Sequence, residues 1–261
     1  MNDIIIAKIG GSTLGSHDTT LDDIAELRRQ GRHPIVVHGG GATISDWLAR
    51  HDVPTRFERG LRVTDAETLD VAVAVLAGLV NKQLVAALQQ RGVDAIGLSG
   101  ADARMLKARV LDPELGLVGE VTEVNTESLI SLLERGLVPV IAPIALECGA
   151  EGPSGRLLNV NADTAAGAIA AALEAGALVF LTDVPGILDG EGQLLPRVSA
   201  ADHATLLEAG AVSGGMIPKV EACLAAAAAG ARSLIVDGRE PGALLAALSE
   251  QPAGTLVGGA E

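Results

Sequence analysis

Six short aliphatic runs, at residues 4–9, 34–38, 95–99, 138–142, 178–182 and 233–237, are separated by longer segments whose apolar residues recur at helical spacing. A run that is apolar at nearly every position has no polar face, so both of its sides must be covered. Strands of this kind alternating with helices build a largely parallel sheet, because a parallel pair needs a long crossover and a helix supplies it. The sequence therefore predicts an α/β fold. Helical spacing falls at 20–30, 43–50, 66–91, 126–135, 165–174, 200–209, 218–229 and 241–250, each closely followed by a glycine or a turn residue. Two stretches break the alternation. Residues 105–124, with Asp112-Pro113 and Gly116 among β-branched neighbours, predict a hairpin covering one end of the sheet, and residues 147–158 predict another.

Charge and composition narrow the partners. With 19 Lys+Arg against 33 Asp+Glu the net charge is −14, which repels a phosphate backbone unless one face is locally basic. No basic run is visible. Trp47, Phe57 and Phe180 are the only aromatic residues, too few for a platform that stacks single strands. A chain of 261 residues can bury enough aliphatic surface to do without disulfide staples. Cys148 and Cys223 lie far apart without metal-ligand spacing and read as thiols of a reducing compartment. Residues 165–181 are apolar but are interrupted by Gly167, Glu174 and Gly176, a poor membrane span, and the first strand comes directly after Met1 without a basic leader. The expectation is a cytoplasmic protein with neither a nucleic-acid nor a membrane partner.

The residues at the strand ends carry the chemistry. Lys8-Ile9-Gly10-Gly11-Ser12 ends the first strand, His38-Gly39-Gly40-Gly41 the second, Ser99-Gly100 the third, Asp183 the fifth and Asp237-Gly238 the sixth. In an open α/β sheet ligands sit outside the carboxyl ends of the strands, where glycine lets backbone N–H groups approach an anion. The standard nucleotide fingerprints fail here. Gly10 and Gly15 have Walker spacing but Ser16 and His17 come next, and Gly39-Gly40-Gly41 lacks the third glycine of a dinucleotide turn. Lys8 interrupts a strand buried on both faces, and a buried ammonium needs an anionic partner. Lys219, in Gly214-Gly215-Met216-Ile217-Pro218-Lys219, stands in a first helical turn, where its charge opposes the dipole. Asp163, in Asn159-Val160-Asn161-Ala162-Asp163, reads either as a helix cap or as a functional carboxylate. Arg62, in Gly60-Leu61-Arg62-Val63-Thr64, could clamp a carboxylate through its planar fork or be an ordinary surface arginine. The five histidines have no spacing of a metal site or a triad, and His38 reads as structural.

Taken together with Asn81-Lys82, Gly97-Leu98-Ser99-Gly100 and residues 182–188 (Thr182-Asp183-Val184-Pro185-Gly186-Ile187-Leu188), these motifs resemble, in order and over nearly the whole chain, the amino-acid kinase family. The resemblance implies a three-layer αβα sandwich with a mainly parallel central sheet. It implies an N-terminal lobe at 1–175 that binds an acyl amino acid and dimerises, and a C-terminal lobe at 176–261 that binds ATP with Mg²⁺. Within the family it points to phosphorylation of the side-chain carboxylate of N-acetyl-L-glutamate. By position, Lys8 and Lys219 would contact the transferring phosphoryl group, and Asp163 would hold both lysines. Gly10 and Gly11 would meet the phosphates, and Gly40, Gly41, Arg62 and Asn159 would bind the substrate. Thr182, Asp183, Gly186, Ile187 and Leu188 would line the nucleotide. No protein metal site is implied, since the ion would be held mainly by ATP. An ionised γ-carboxylate is already a nucleophile, which agrees with the lack of a catalytic histidine.

Two rival readings stay open. A kinase acting on aminoadipate or glutamate attached to an acidic carrier protein would need a basic docking face, and a sensing member would keep the glycine turns and lose the charged residues. Residues 101–103 (Ala101-Asp102-Ala103) stand where many members carry a lysine and a second glycine. In the family, inhibition by arginine goes with a helix preceding the first strand that interlaces dimers into a ring. Only three residues precede Ile4, so the expectation is an arginine-insensitive homodimer. Its two-fold contact would use Leu69, Val73, Leu76, Leu79 and Val80 together with the strand at 117–121.

Overall fold

The structure is a computed structural model that describes residues 3–10, 19–149 and 152–258. By its contacts the chain forms two units, residues 1–36 with 166–261, and residues 37–165. In chain order the first unit opens with β1 (Ile4–Ile9), all six residues buried, then α1 (Thr20–Arg29) and β2 (His33–His38). The second unit takes over within β2. It continues with α2 (Gly41–Arg50), the small hairpin of β3 (Phe57–Glu58) and β4 (Leu61–Arg62), and α3 (Ala66–Val73). A π-helical segment, Ala74–Val80, joins α3 to α4 (Asn81–Gln89), and β5 (Ala95–Ser99) comes next. Then come β6 (Leu106–Val110), β7 (Val118–Val124), α5 (Glu127–Glu134), β8 (Val138–Ala142), β9 (Ile144–Gly149) and β10 (Gly152–Val160). Helix α6 (Ala162–Ala172) carries the chain back to the first unit, which adds β11 (Ala177–Thr182), β12 (Arg197–Val198), α7 (Ala200–Glu208) and α8 (Met216–Ala228). It ends with β13 (Arg232–Asp237), α9 (Ala243–Ala247) and β14 (Thr255–Val257).

The first unit's strands run in the order β12-β14-β13-β11-β1-β2. β1 pairs parallel with β11, Lys8 opposite Phe180, and β11 pairs parallel with β13, while β14 runs antiparallel to β13. That pairing is why β1 and α1 group by contacts with the C-terminal part of the chain. In the second unit β8 and β5 are parallel. The architecture is α/β with a mainly parallel sheet, and all six predicted runs are strands. Phe180 is fully buried; enclosing a side chain of that size stabilises by about 2–3 kcal/mol. Ala222, Cys223 and Ala226 of α8 are buried as well, so the alanine-rich sequence there is a tightly packed helix.

Two features depart from the sequence-based expectation. The hairpins β6–β7 and β9–β10 do not stand separately. They close on each other as a four-stranded barrel in the order β10-β7-β6-β9, through the parallel pairs β6–β9 and β7–β10. The segment expected as one α-helix at 66–91 contains the π-turn. Leu69, Leu76 and Val80 there are core residues, whereas Val73 and Leu79 stay partly open.

Candidate functional site

In the second unit the site is built around α2. Gly40 and Gly41 stand at its N-terminus, where the first amides have no carbonyl of their own helix to bond. Arg62, on β4, is only 8% exposed. Its Nη2 donates to the Gly41 carbonyl oxygen at 2.8 Å and to Ser45 Oγ at 2.9 Å, and the Ser45 hydroxyl donates to that same carbonyl at 3.1 Å. Nη1 is buried and has no hydrogen-bond partner among the described residues. The guanidinium lies over the Phe57 ring. Burial pulls Arg62 down from the ordinary arginine range, yet a guanidinium stays charged in a protein. A buried cation with one edge unbonded, beside the amides of a helix start, is suited to a carboxylate.

Asn159 is linked to Arg62 through Thr64. Its amide donates to Thr64 Oγ1 at 3.2 Å, and that hydroxyl donates to the Arg62 carbonyl oxygen at 2.8 Å. Thr64 is itself bonded on both backbone groups, its N–H to the Leu115 carbonyl and its carbonyl to the Leu117 N–H. So the structure brings Gly41, Arg62 and Asn159 into one bonded set. Ser45 and Phe57, its supports, are not evident from the sequence; neither sits in a distinctive local pattern.

Asp163 is 5% exposed, in the first turn of α6. The cap of that helix is another residue: Asn161 Oδ1 accepts from the Asp163 N–H at 2.8 Å and from the Thr164 N–H at 3.2 Å. Capping of α6 therefore falls to Asn161 rather than to Asp163.

In the first unit Lys8 is 7% exposed on a strand whose other residues are all apolar, and Gly10 comes directly after that strand. Gly11 lies outside the described residues. Lys219, on the first turn of α8, reaches back to donate to the Gly215 carbonyl oxygen at 3.0 Å. That helix begins at Met216, two residues earlier than expected, with Pro218 in its first turn, where a missing N–H costs no bond. At the end of β11 the Thr182 hydroxyl lies 2.9 Å from the Val184 carbonyl oxygen and 3.0 Å from that of Val236, fixing the turn that leaves the strand. Gly186 has φ +151, and a Cβ there would stand 2.5 Å from Thr255 Oγ1. Ile187 is 1% exposed, and its N–H donates to Thr255 Oγ1 at 2.8 Å. Gly186 and Ile187 therefore shape the loop from inside, while Asp183 and Pro185 are its exposed members and Leu188 bridges to Leu194. Arg239 forks onto Asp237 at 2.7 and 2.9 Å, a contact that holds the Asp237 carboxyl below its usual range.

Among the described residues no three of His, Cys, Asp and Glu gather as metal ligands. The sequence profile of the amino acid kinase family matches residues 3–237. The acetylglutamate kinase of Dehalococcoides mccartyi strain 195 is 48% identical over 258 residues, 98% of this chain and 94% of that protein. The crystal structure of smu.665 from Streptococcus mutans superposes with a TM-score of 0.83 at 32% identity, covering 99% of each chain. An N-acetylglutamate synthase from Neisseria gonorrhoeae, complexed with coenzyme A and N-acetyl-glutamate, superposes at 0.84 with 26% identity, over all of this chain and 60% of that one.

Proposed function

The chain belongs to the amino acid kinase family, and from that premise we propose that it transfers the γ-phosphoryl group of ATP to the side-chain carboxylate of N-acetyl-L-glutamate, a step of arginine biosynthesis. The observation that carries the substrate half of this reading is Arg62, buried to 8% exposure with Nη1 unbonded beside the start of α2. A carboxylate of the acyl amino acid would take that edge of the fork together with the Gly40 and Gly41 amides, and Asn159 would orient it. The similarity to a synthase structure that holds N-acetyl-glutamate supports the same assignment.

The chemistry asks little proton handling of the protein. A γ-carboxylate with a pKa of about 4.3 is ionised at neutral pH and attacks phosphorus directly. The barrier is electrostatic, since one anion approaches another, and it is lowered by fixed positive charge and backbone donors. Lys8 and Lys219 are the cations we assign to that task, with Asp163 as their organising counter-charge. Gly10 and Gly11 would meet the phosphates, and the loop of Thr182, Asp183, Gly186, Ile187 and Leu188 would hold the nucleotide. Mg²⁺ would enter with the triphosphate as part of the substrate.

Assembly is read from the one long apolar helical stretch among the described residues. Ala66–Gln89 is long and apolar enough by composition to cross a membrane, yet its buried residues pack into the second unit. We assign its open positions Val73, Ala74, Ala77, Gly78 and Leu79 to a two-fold contact with a second copy. Cys148 and Cys223 are free thiols, which fits the reducing cytoplasm. The test is ATP turnover with N-acetyl-L-glutamate, the acyl phosphate being trapped by hydroxylamine. Hydroxamate formation is expected; turnover only with a carrier-linked substrate, or none, would overturn the reading.

A further inference from the structure

Asn81-Lys82 and Gly97 belong to the motifs of this chain but have no part in the chemistry above. In the structure they meet. Asn81 is fully buried, and its Nδ2 lies 2.9 Å from the Val140 carbonyl oxygen, 3.3 Å from that of Leu98 and 3.2 Å from His38 Nε2. Its Oδ1 accepts from Lys82 Nζ at 2.9 Å, and Lys82 Nζ also donates to the Gly97 carbonyl oxygen at 3.0 Å. A Cβ at residue 97 would stand 1.9 Å from Asn81 Oδ1 and 2.5 Å from Lys82 Nζ, so the arrangement needs glycine there.

These bonds define the histidine. Val140 and Leu98 offer only carbonyls to Nδ2, and Lys82 offers only donors to Oδ1, so the amide cannot be flipped and Asn81 donates to His38 Nε2. On the other side of the ring, His38 Nδ1 is 2.9 Å from the Gly39 carbonyl oxygen, which can only accept. With Nε2 accepting, the ring proton that reaches the Gly39 carbonyl sits on Nδ1. The bond it makes settles the next peptide. In a planar trans peptide the carbonyl of Gly39 and the N–H of Gly40 point in opposite directions. Drawing the carbonyl onto a fully buried ring therefore turns the Gly40 N–H away from it. The π-turn completes the clamp from the same helix: a Cβ on Gly40 would stand 2.7 Å from Leu76 Cδ2 and 3.4 Å from Val80 Cγ2, and Asn81 is the next residue along. A π-turn carries an extra residue per turn, which shifts the face presented by the helix after it.

We infer that Lys82, Asn81 and His38 form a positioning relay that locks the Gly39–Gly40 peptide so that the Gly40 N–H is presented to the carboxylate of the acyl amino acid. The inference rests on the substrate reading above; none of the three residues need touch the ligand. Lys82 is exposed and acts at the outer end of the relay, Asn81 transmits, and His38 holds the turn.

Two readouts test it, both on the full chain. Long-range proton–nitrogen correlation of ¹⁵N-histidine-labelled protein above neutral pH should show one of the five histidines in the Nδ1–H form, the opposite of the tautomer that free histidine favours in water. Asn81→Asp is isosteric but cannot donate to Nε2. In that variant the carboxylate draws a proton onto Nε2, so the pattern of protonated Nδ1 with bare Nε2 should disappear, and KM for N-acetylglutamate should rise about tenfold or more while KM for ATP stays within about threefold. Lys82→Met, a change on the exposed rim, should raise the same KM about threefold, and it decides the matter should Asn81→Asp not fold. A wild-type spectrum with no Nδ1–H histidine, or an unchanged KM in both variants, overturns the relay. A wild-type chain that does not phosphorylate N-acetylglutamate overturns the substrate reading alone, because the tautomer is read independently of it.

Discussion

The guanidinium carbon of Arg62 stands 4.7 Å from the centroid of the Phe57 ring, although Phe57 is 58% exposed. The two residues are direct cross-strand partners in the β3–β4 hairpin. A large apolar ring left in water is costly unless it covers something, and here it covers one face of a buried cation. Such a contact at a partly exposed site contributes about 0.5–1 kcal/mol. Phe57→Ala should therefore weaken N-acetylglutamate binding by about two- to fivefold, with ATP binding unaltered; calorimetry with each ligand separates the two.

Arg62→Lys probes the fork and its charge together. Lysine cannot bond the Gly41 carbonyl, Ser45 and a carboxylate with one planar group, so KM for N-acetylglutamate should rise by about tenfold or more with ATP spared. The burial that lowers the Arg62 pKa acts equally on the replacement. Lysine begins near 10.4, so its depressed value falls closer to neutrality and its charge is lost as pH rises. Substrate affinity of the variant should therefore decline toward alkaline pH sooner than that of the wild type. Parallel pH profiles would show that burial does not govern the charge at this position.

The parallel strands are legible in the sequence because a strand covered on both faces must be aliphatic throughout, and Ile4, Ile5 and Ile6 leave little choice. Lys8 stands out against the same background. Closure of the β6–β7 and β9–β10 hairpins into one barrel is not legible, since each hairpin arises from local turns whereas their joining depends on pairs such as Lys107 with Leu146, far apart in the chain. The π-turn is hidden because residues 66–91 keep helical spacing at either end of it. Asp163 is ambiguous for a simpler reason: Asn161, two residues earlier, can cap the same helix, and only geometry distinguishes them. His38 carries no signal of its own because a lone histidine has no spacing to read; its meaning comes from Asn81, which is distant in sequence.

Lys8→Ala and Lys219→Ala should each lower kcat by at least about a hundredfold, the scale of losing one strong donor to a developing charge. Asp163→Asn should fall in the same range if the carboxylate organises both cations. Thermal melts recorded alongside distinguish lost chemistry from lost structure. Any of the three variants that keeps more than a third of wild-type kcat would be removed from the mechanism.

Asp65 caps α3, accepting from the Thr68 N–H at 2.8 Å, and that bond is the main cause of its lowered pKa. A carboxyl whose folded pKa lies below its ordinary value of 3.8 contributes stability above that value and loses it as pH falls through the lower one. Asp65→Ala should cost about 1 kcal/mol at neutral pH, and the gap between variant and wild type should narrow as denaturant titrations are moved below pH 3.8. An undiminished gap at the acid end would mean that the side chain acts there by something other than its charge.

The outer face of the helical stretch offers the remaining test. From Val71 to Val80 it carries no charged residue, and Ala74 and Gly78 are exposed. A solitary apolar face of this kind would be an aggregation liability, whereas a second copy related by a two-fold axis buries it against itself. Ala74→Glu places a carboxylate on that face at a position already exposed within its own unit, so the fold itself should tolerate it. In a two-fold contact each charge would meet the partner's face and lose its hydration, a cost that a dimer interface cannot easily offset. Light scattering should therefore give about twice the chain mass for the wild type and a single chain mass for Ala74→Glu, with far-ultraviolet circular dichroism unaltered. A wild type that scatters as a monomer, or a variant that keeps the dimer, would move the contact away from this helix.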